Sequence, residues 1–196
     1  MEISLSGLKK NHQNRLRIIA GEWRGRKLAF PDHDGLRPTT DRIRETVFNW
    51  LQSRLSGARV LDLFAGSGAL GLEAASRGAS EVVMIDNHAA AIDAINAHCS
   101  LLKASQIEAL NVDALEYVEQ CESPFDVIFI DPPFATDLLQ TLLPQLLQPK
   151  MLKENAMVYV EAPKSVQLTL PTPYDWHRHK ITGDVQFGLI AYNTNA

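Results

Sequence analysis

The chain has 196 residues, 45% apolar and 21% charged, as expected of one globular unit with a sizeable core. No run of eighteen apolar residues occurs, and the opening MEISLSGLKKNHQNR lacks the apolar segment of a secretory signal, so neither a membrane span nor export is expected. Charge is uneven: residues 1–59 hold 12 Lys and Arg against 6 Asp and Glu, while residues 60–196 hold 7 against 17, so the net −4 hides a basic front on an acidic body.

Residues 1–14 are polar and aperiodic and read as a flexible tail. Residues 15–196 read as one domain, with a basic extension over 15–55 and a core over 56–196. In the extension, RLRIIAG and RKLAF flank the Gly21 to Gly25 turn and predict a small hairpin. Next, Ile43, Val47, Trp50 and Leu51 recur at helical spacing, with Thr40 or Asp41 as N-cap. Basic residues concentrate in RIIAGEWRGRKL and RPTTDRIRETVFNW, interleaved with Trp23, Phe48 and Trp50. That mixture favours nucleic acid over a merely solvated face, with Arg24, Arg26, Lys27 and Arg37 as candidate phosphate contacts.

From Val60 onward, RVLDLFA, EVVMIDN, IEALNVD, FDVIFID and AMVYVEA read as strands. GALGLEAASRG, AAAIDAINAHCSLLKA, ALEYVEQC and TDLLQTLLPQLLQ read as the helices between them. Such alternation predicts an α/β fold with a doubly wound, Rossmann-like and mostly parallel sheet, whose ligands sit at the strand carboxyl ends. WHRHKITGDVQFGLIAYN has no helical pattern and predicts an antiparallel hairpin around Thr182–Gly183–Asp184, completing seven strands.

Several residues invite chemistry and receive plainer readings. Cys99 and Cys121 follow no ligand spacing and suit small core-side positions in a reducing cytoplasm. His177 and His179 lie two apart, but no third ligand of suitable spacing accompanies them, so exposed strand positions are favoured and no metal is expected. His88 and His98 sit on a polar helical pattern and are expected to face solvent. LLQTLLPQLL reads as a core helix with a late Pro144 kink rather than an interface, and a monomer is expected.

Three motifs remain. DLFAGSGALGLEAASRGA closes the first core strand, where Gly66 and Gly68 let the backbone turn sharply and approach a ligand. There is no GK[ST], which excludes a P-loop, but Gly66, Gly68 and Gly71 satisfy the dinucleotide spelling G-x-G-x-x-G. Asp86 ends the second strand, placed to accept from both hydroxyls of a ribose. NAD and S-adenosylmethionine both carry a ribose, so Asp86 does not separate them. Asp113 could cap ALEYVEQC or receive an adenine amino group, and the two roles are compatible.

IFIDPPF discriminates. Its two prolines remove N–H donors, so the tip presents acceptors, the Asp131 carboxylate and the Pro132 carbonyl. Together they suit the two hydrogens of a planar NH₂ group, and Phe134 offers a face for stacking. An oxidoreductase reading gives this tip no role.

With these motifs the chain resembles the class I S-adenosylmethionine-dependent methyltransferases. RIIAGEWRGRKL, GLRPTTDRIRETVFNWL, LDLFAGSGALGLEAASRGA and DPPF, in that order, are similar to the RsmD family. The resemblance implies methyl transfer from S-adenosylmethionine to a guanine N2 amino group in 16S rRNA, presented by the small ribosomal subunit. It implies cofactor contacts at Asp62, Phe64, Ala65, Gly66, Ser67 and Gly68, at Asp86 and Asn87, and at Asp113 and Ala114, with Thr39 and Thr40 closing over cofactor and base. DPPF alone is shared with enzymes that methylate adenine N6 in DNA or RNA, so the guanine assignment rests on the N-terminal segment.

Overall fold

Strands covered on both faces need near-continuous apolar residues, and the central runs VVMI of EVVMIDN, VIFI of FDVIFID and MVYV of AMVYVEA meet that demand, while IEALNVD forms an edge strand with Glu108 exposed. The computed structural model describes residues 14–30, 40–133 and 138–193. Its main sheet has the spatial order β5 (Ile107–Asn111), β4 (Glu81–Asp86), β3 (Arg59–Asp62), β6 (Phe125–Ile130), β7 (Leu152–Pro163), β9 (Val185–Tyr192) and β8 (Tyr174–Thr182). Pairing is parallel from β5 to β7, and β9 runs antiparallel to both β7 and β8. The predicted α/β sheet with its terminal hairpin is therefore observed. β7 starts ahead of the predicted AMVYVEA, because Leu152 already pairs with Phe125 before a register shift, and Asn155 bends the chain at φ 60.

Successive strand residues point to opposite faces and split the core in two. On one face Val60, Val82, Val127 and Phe129 pack under α1 (Asp41–Trp50), α2 (Ala69–Ser76) and α3 (Ala89–Leu102). On the other, Leu61, Val83, Ile128 and Ile130 pack under α4 (Ala114–Gln120) and α5 (Leu138–Leu146). α5 buries Leu139, Leu142, Leu143 and Leu146 and contains Pro144. No helix among the described residues is long and apolar enough to cross a membrane.

The predicted N-terminal hairpin pairs β1 (Asn14–Arg17) with β2 (Lys27–Phe30), so β1 begins at the last residue of the expected tail. The turn between these strands is tied to α2. Buried Glu73 accepts from the Ile19 and Ala20 N–H groups at 2.7 and 3.0 Å and pairs with Arg77. The Ser76 hydroxyl accepts from the Trp23 N–H and donates to the Ala20 carbonyl. Gly21 (φ +81) is obligatory, since a Cβ would lie 1.8 Å from the Ser76 carbonyl oxygen.

His98 corrects the expectation from its polar helical setting. It is 8% exposed and lies beneath β2, with Nε2 2.8 Å from the Ala29 carbonyl, because the hairpin covers that side of α3. His88 is exposed as expected. Cys99 is half-buried, Cys121 is buried and both are free.

Candidate active site

β3 and β6 are neighbours, yet the chain winds away from them in opposite directions across the sheet. Their carboxyl ends thus flank the crevice in which open α/β sheets take ligands. The glycine turn fills one side of it. Gly66 (φ 51) and Gly68 (φ 81) adopt left-handed conformations, and Gly68 occupies the N-cap position of α2 with no side chain to cap the helix.

Asp62 supplies the missing cap from the strand below. Its Oδ2 accepts from the Gly71 N–H, in the first turn of α2, at 2.8 Å. Only 2% exposed, the Asp62 carboxyl is pushed by burial to about 7 from 3.8, against the opposing Gly71 bond and with added repulsion from Asp131 and Asp86. Asp62, Asp86 and Asp131 therefore share one crevice electrostatically, although the described residues contain no metal-binding group of His, Cys, Asp and Glu. Around the turn, Ala65 and Ser67 are buried, while Phe64 is half-buried against the second core.

Asp86 is held in place by three donors. Its Oδ2 accepts from the Gly66 N–H at 2.8 Å, which ties the strand end to the glycine turn. Its Oδ1 accepts from the His88 N–H at 2.8 Å and lies 3.0 Å from His88 Nδ1. Asn87 follows it, exposed. On the next strand loop, Asp113 Oδ1 accepts from the Leu115 and Glu116 N–H groups at 2.8 and 3.3 Å, so the capping role is realised. Ala114 opens α4 and is buried.

Opposite the turn, Asp131 and Pro132 leave β6, with Pro132 buried and Pro133 exposed. Beneath them Phe129 packs between Phe48 and Tyr159, at ring-centroid distances of 5.7 and 5.9 Å. The Tyr159 hydroxyl donates to buried Glu161 at 2.8 Å, and burial, Glu161 and Asp131 hold the phenol well above its usual range. The sequence reading passed over Tyr159 and Glu161; the available signal was one carboxylate within the apolar run MVYVEA.

On the basic side, Arg24, Arg26 and Lys27 are exposed on the hairpin, as predicted. Cross-strand pairing of Arg17 with Lys27 and Arg15 with Ala29 adds Arg15 and Arg17 to the same outward face, which the sequence reading missed. The Thr40 hydroxyl caps α1 through the Ile43 N–H at 3.4 Å. Arg37, Thr39 and Phe134 lie outside the described residues, as do tail residues 1–13.

A glycine turn after the first core strand, an acid closing the second and a D-P-P tip beside them, on a seven-stranded sheet with a reversed strand, define a class I methyltransferase. Solved structures agree. An Escherichia coli chain assigned as a methyltransferase superposes with a TM-score of 0.85 at 38% identity, covering 93% of this chain and 100% of that one. A Haemophilus influenzae chain assigned as a methylase gives 0.79 at 37% identity, covering 91% and 99%. The chain belongs to the RsmD family, matched over residues 16–191 under the description Conserved hypothetical protein 95. It is 44% identical to the Escherichia coli ribosomal RNA small subunit methyltransferase D, over 92% of this chain and 93% of that protein. The Haemophilus influenzae protein of that name is 40% identical, over 91% and 95%.

Proposed function

We propose that the chain transfers a methyl group from S-adenosylmethionine to the exocyclic N2 amino group of a guanine in small-subunit ribosomal RNA. We further propose that residues 15–196 work as a monomeric unit in the cytoplasm on the small ribosomal subunit. One observation carries the reading: the switch-point crevice is ringed by carboxylates. Asp62 and Asp86 close the adjacent strands β3 and β4, Asp131 follows β6 on the other side of β3, and Asp62 already takes an α2 N–H where a dinucleotide enzyme would seat its pyrophosphate. Such a crevice repels a pyrophosphate and suits a cationic cofactor.

S-adenosylmethionine supplies an electrophilic methyl group on a sulfonium centre. The chain's residues bind and orient. Asp86, fixed by three donors, has acceptor sites left for ribose hydroxyls, and Asp113 has Oδ2 for an adenine amino group. Gly66 and Gly68 permit close backbone approach. At the tip, the Asp131 carboxylate and Pro132 carbonyl accept the two hydrogens of the guanine amine, which raises electron density on nitrogen and stabilises the charge it acquires. Asp131 or water then takes the proton. The outward face of the hairpin holds phosphates while the base leaves its stack.

Labelled methyl transfer to unmodified small-subunit RNA, followed by nucleoside analysis, tests this. N2-methylguanosine is expected. Label in N6-methyladenosine, or tight binding of NAD to the native chain, would refute it.

A further inference from the structure

Seven Lys and Arg side chains lie beyond residue 60, in the acidic body. Arg77, Lys153 and Lys164 are in ion pairs, and Lys150 bonds to the Val118 and Glu119 carbonyls. Three remain that are exposed and form no ion pair among the described residues: Lys103, alone at the end of α3, and Arg178 and Lys180, which lie together on the sheet-edge strand β8.

Their direction follows from register. Arg178 pairs with Leu189 and Lys180 with Phe187, and both partners belong to the core under α1, α2 and α3. The two cations therefore project from the same side of the sheet as the hairpin's docking helices. There α1 ends in Trp50, which stacks on Phe187 at 5.7 Å, while the Lys180 ammonium stands 5.6 Å over its ring. Height also matches. Phe187 pairs with Glu161, and Ile130 pairs with Val160, so Lys180 lies in the cross-strand row reached by the Asp131 tip. Three strand spacings separate them, about 15 Å.

We propose that Arg178, Lys180 and Trp50 form a second RNA-contacting surface, on the same side of the sheet as the basic hairpin, holding the backbone and one base of single-stranded RNA next to the target nucleotide. This rests on the RNA-methylating reading above. Unpaired cations beside an aromatic face are what a single strand needs, phosphates on the cations and a base on the ring. The competing role is edge protection, in which charges on a terminal strand discourage pairing between chains.

The test is the double variant Arg178→Ala/Lys180→Ala, assayed on unmodified small-subunit RNA. We expect KM for RNA to rise about tenfold and the salt slope of RNA binding to shrink by about 1.4, for two lost phosphates at about 0.7 each. Turnover at saturating RNA and cofactor affinity should stay unchanged, and Arg178→Lys/Lys180→Arg should behave as native. Unchanged RNA affinity and slope would overturn the proposal, and self-association of the variant alongside that result would assign the cations to edge protection. Native chain that binds RNA through these residues yet transfers no methyl would refute the function above while leaving this surface standing.

Discussion

Asp131 and Asp62 face the same crevice with different duties, and substitutions should separate them. Asp131 is half-exposed at the tip, where the proposed function puts the amine nitrogen that gains positive charge as the methyl arrives. Asp131→Ala should bind cofactor and RNA but lose about 10²–10³ in rate, the usual effect of removing one preorganised electrostatic partner. Asp131→Asn still accepts a hydrogen bond without the charge. It should fall with the Ala variant in single-turnover assays at saturating RNA; retained activity would mean that acceptance alone suffices. Asp62 acts on stability instead. Burial holds its carboxyl at about 7 against an ordinary 3.8, so the folded chain keeps a proton that the unfolded chain releases. This contribution is fully present below about pH 4 and is lost as pH rises through about 7, worth about 4 kcal/mol at most. Asp62→Asn keeps an acceptor for the Gly71 N–H and cannot ionise. Urea titrations between about pH 5 and 8 should show the native decline flattened in this variant.

The hairpin is joined to the catalytic sheet through α2, and that junction is one element-scale weak point. Gly21→Ala places a methyl 1.8 Å from the Ser76 carbonyl oxygen at a φ of +81, so the turn must lift from the helix. Overpacking and left-handed strain together predict a loss of about 3 kcal/mol in urea unfolding. RNA affinity should fall more than cofactor affinity, because the cations move with the hairpin while the glycine turn remains. This junction was only half legible in the sequence. The hairpin announced itself through glycines between two short apolar runs, and the central strands β4, β6 and β7 through apolar runs buried on both faces. What Glu73 does was hidden, since its backbone partners lie 53 and 54 residues earlier. His98 misled for the same reason: the strand that buries it comes 69 residues before it. Local periodicity reports which side of a helix is apolar, not which distant segment will cover a polar one.

At the scale of the whole molecule, the site divides between halves of opposite charge, and this division was legible from composition while its detail was not. The acidic body holds the carboxylate-ringed crevice, and the basic front holds the outward cations of the hairpin. Arg15 and Arg17 joined that face only through strand register, and Arg178 and Lys180 stood unpaired only once the ion pairs of their neighbours were known. The halves should therefore fail independently. Replacing Arg24, Arg26 and Lys27 with Ala removes up to three phosphate contacts, which should cut the salt slope of RNA binding by about two to three units. Cofactor affinity should be unaffected, since none of the three belongs to the crevice. Asp86→Ala should do the reverse: it removes the acceptor that anchors the Gly66 N–H and, in the function proposed, the ribose, so cofactor binding should be abolished while the salt slope stays native. Calorimetry for the cofactor and RNA binding across a range of salt concentrations would measure both. Loss of both activities in either variant would mean that front and body fold as one interdependent unit, and an unchanged slope in the triple variant would return those cations to an ordinary solvated face.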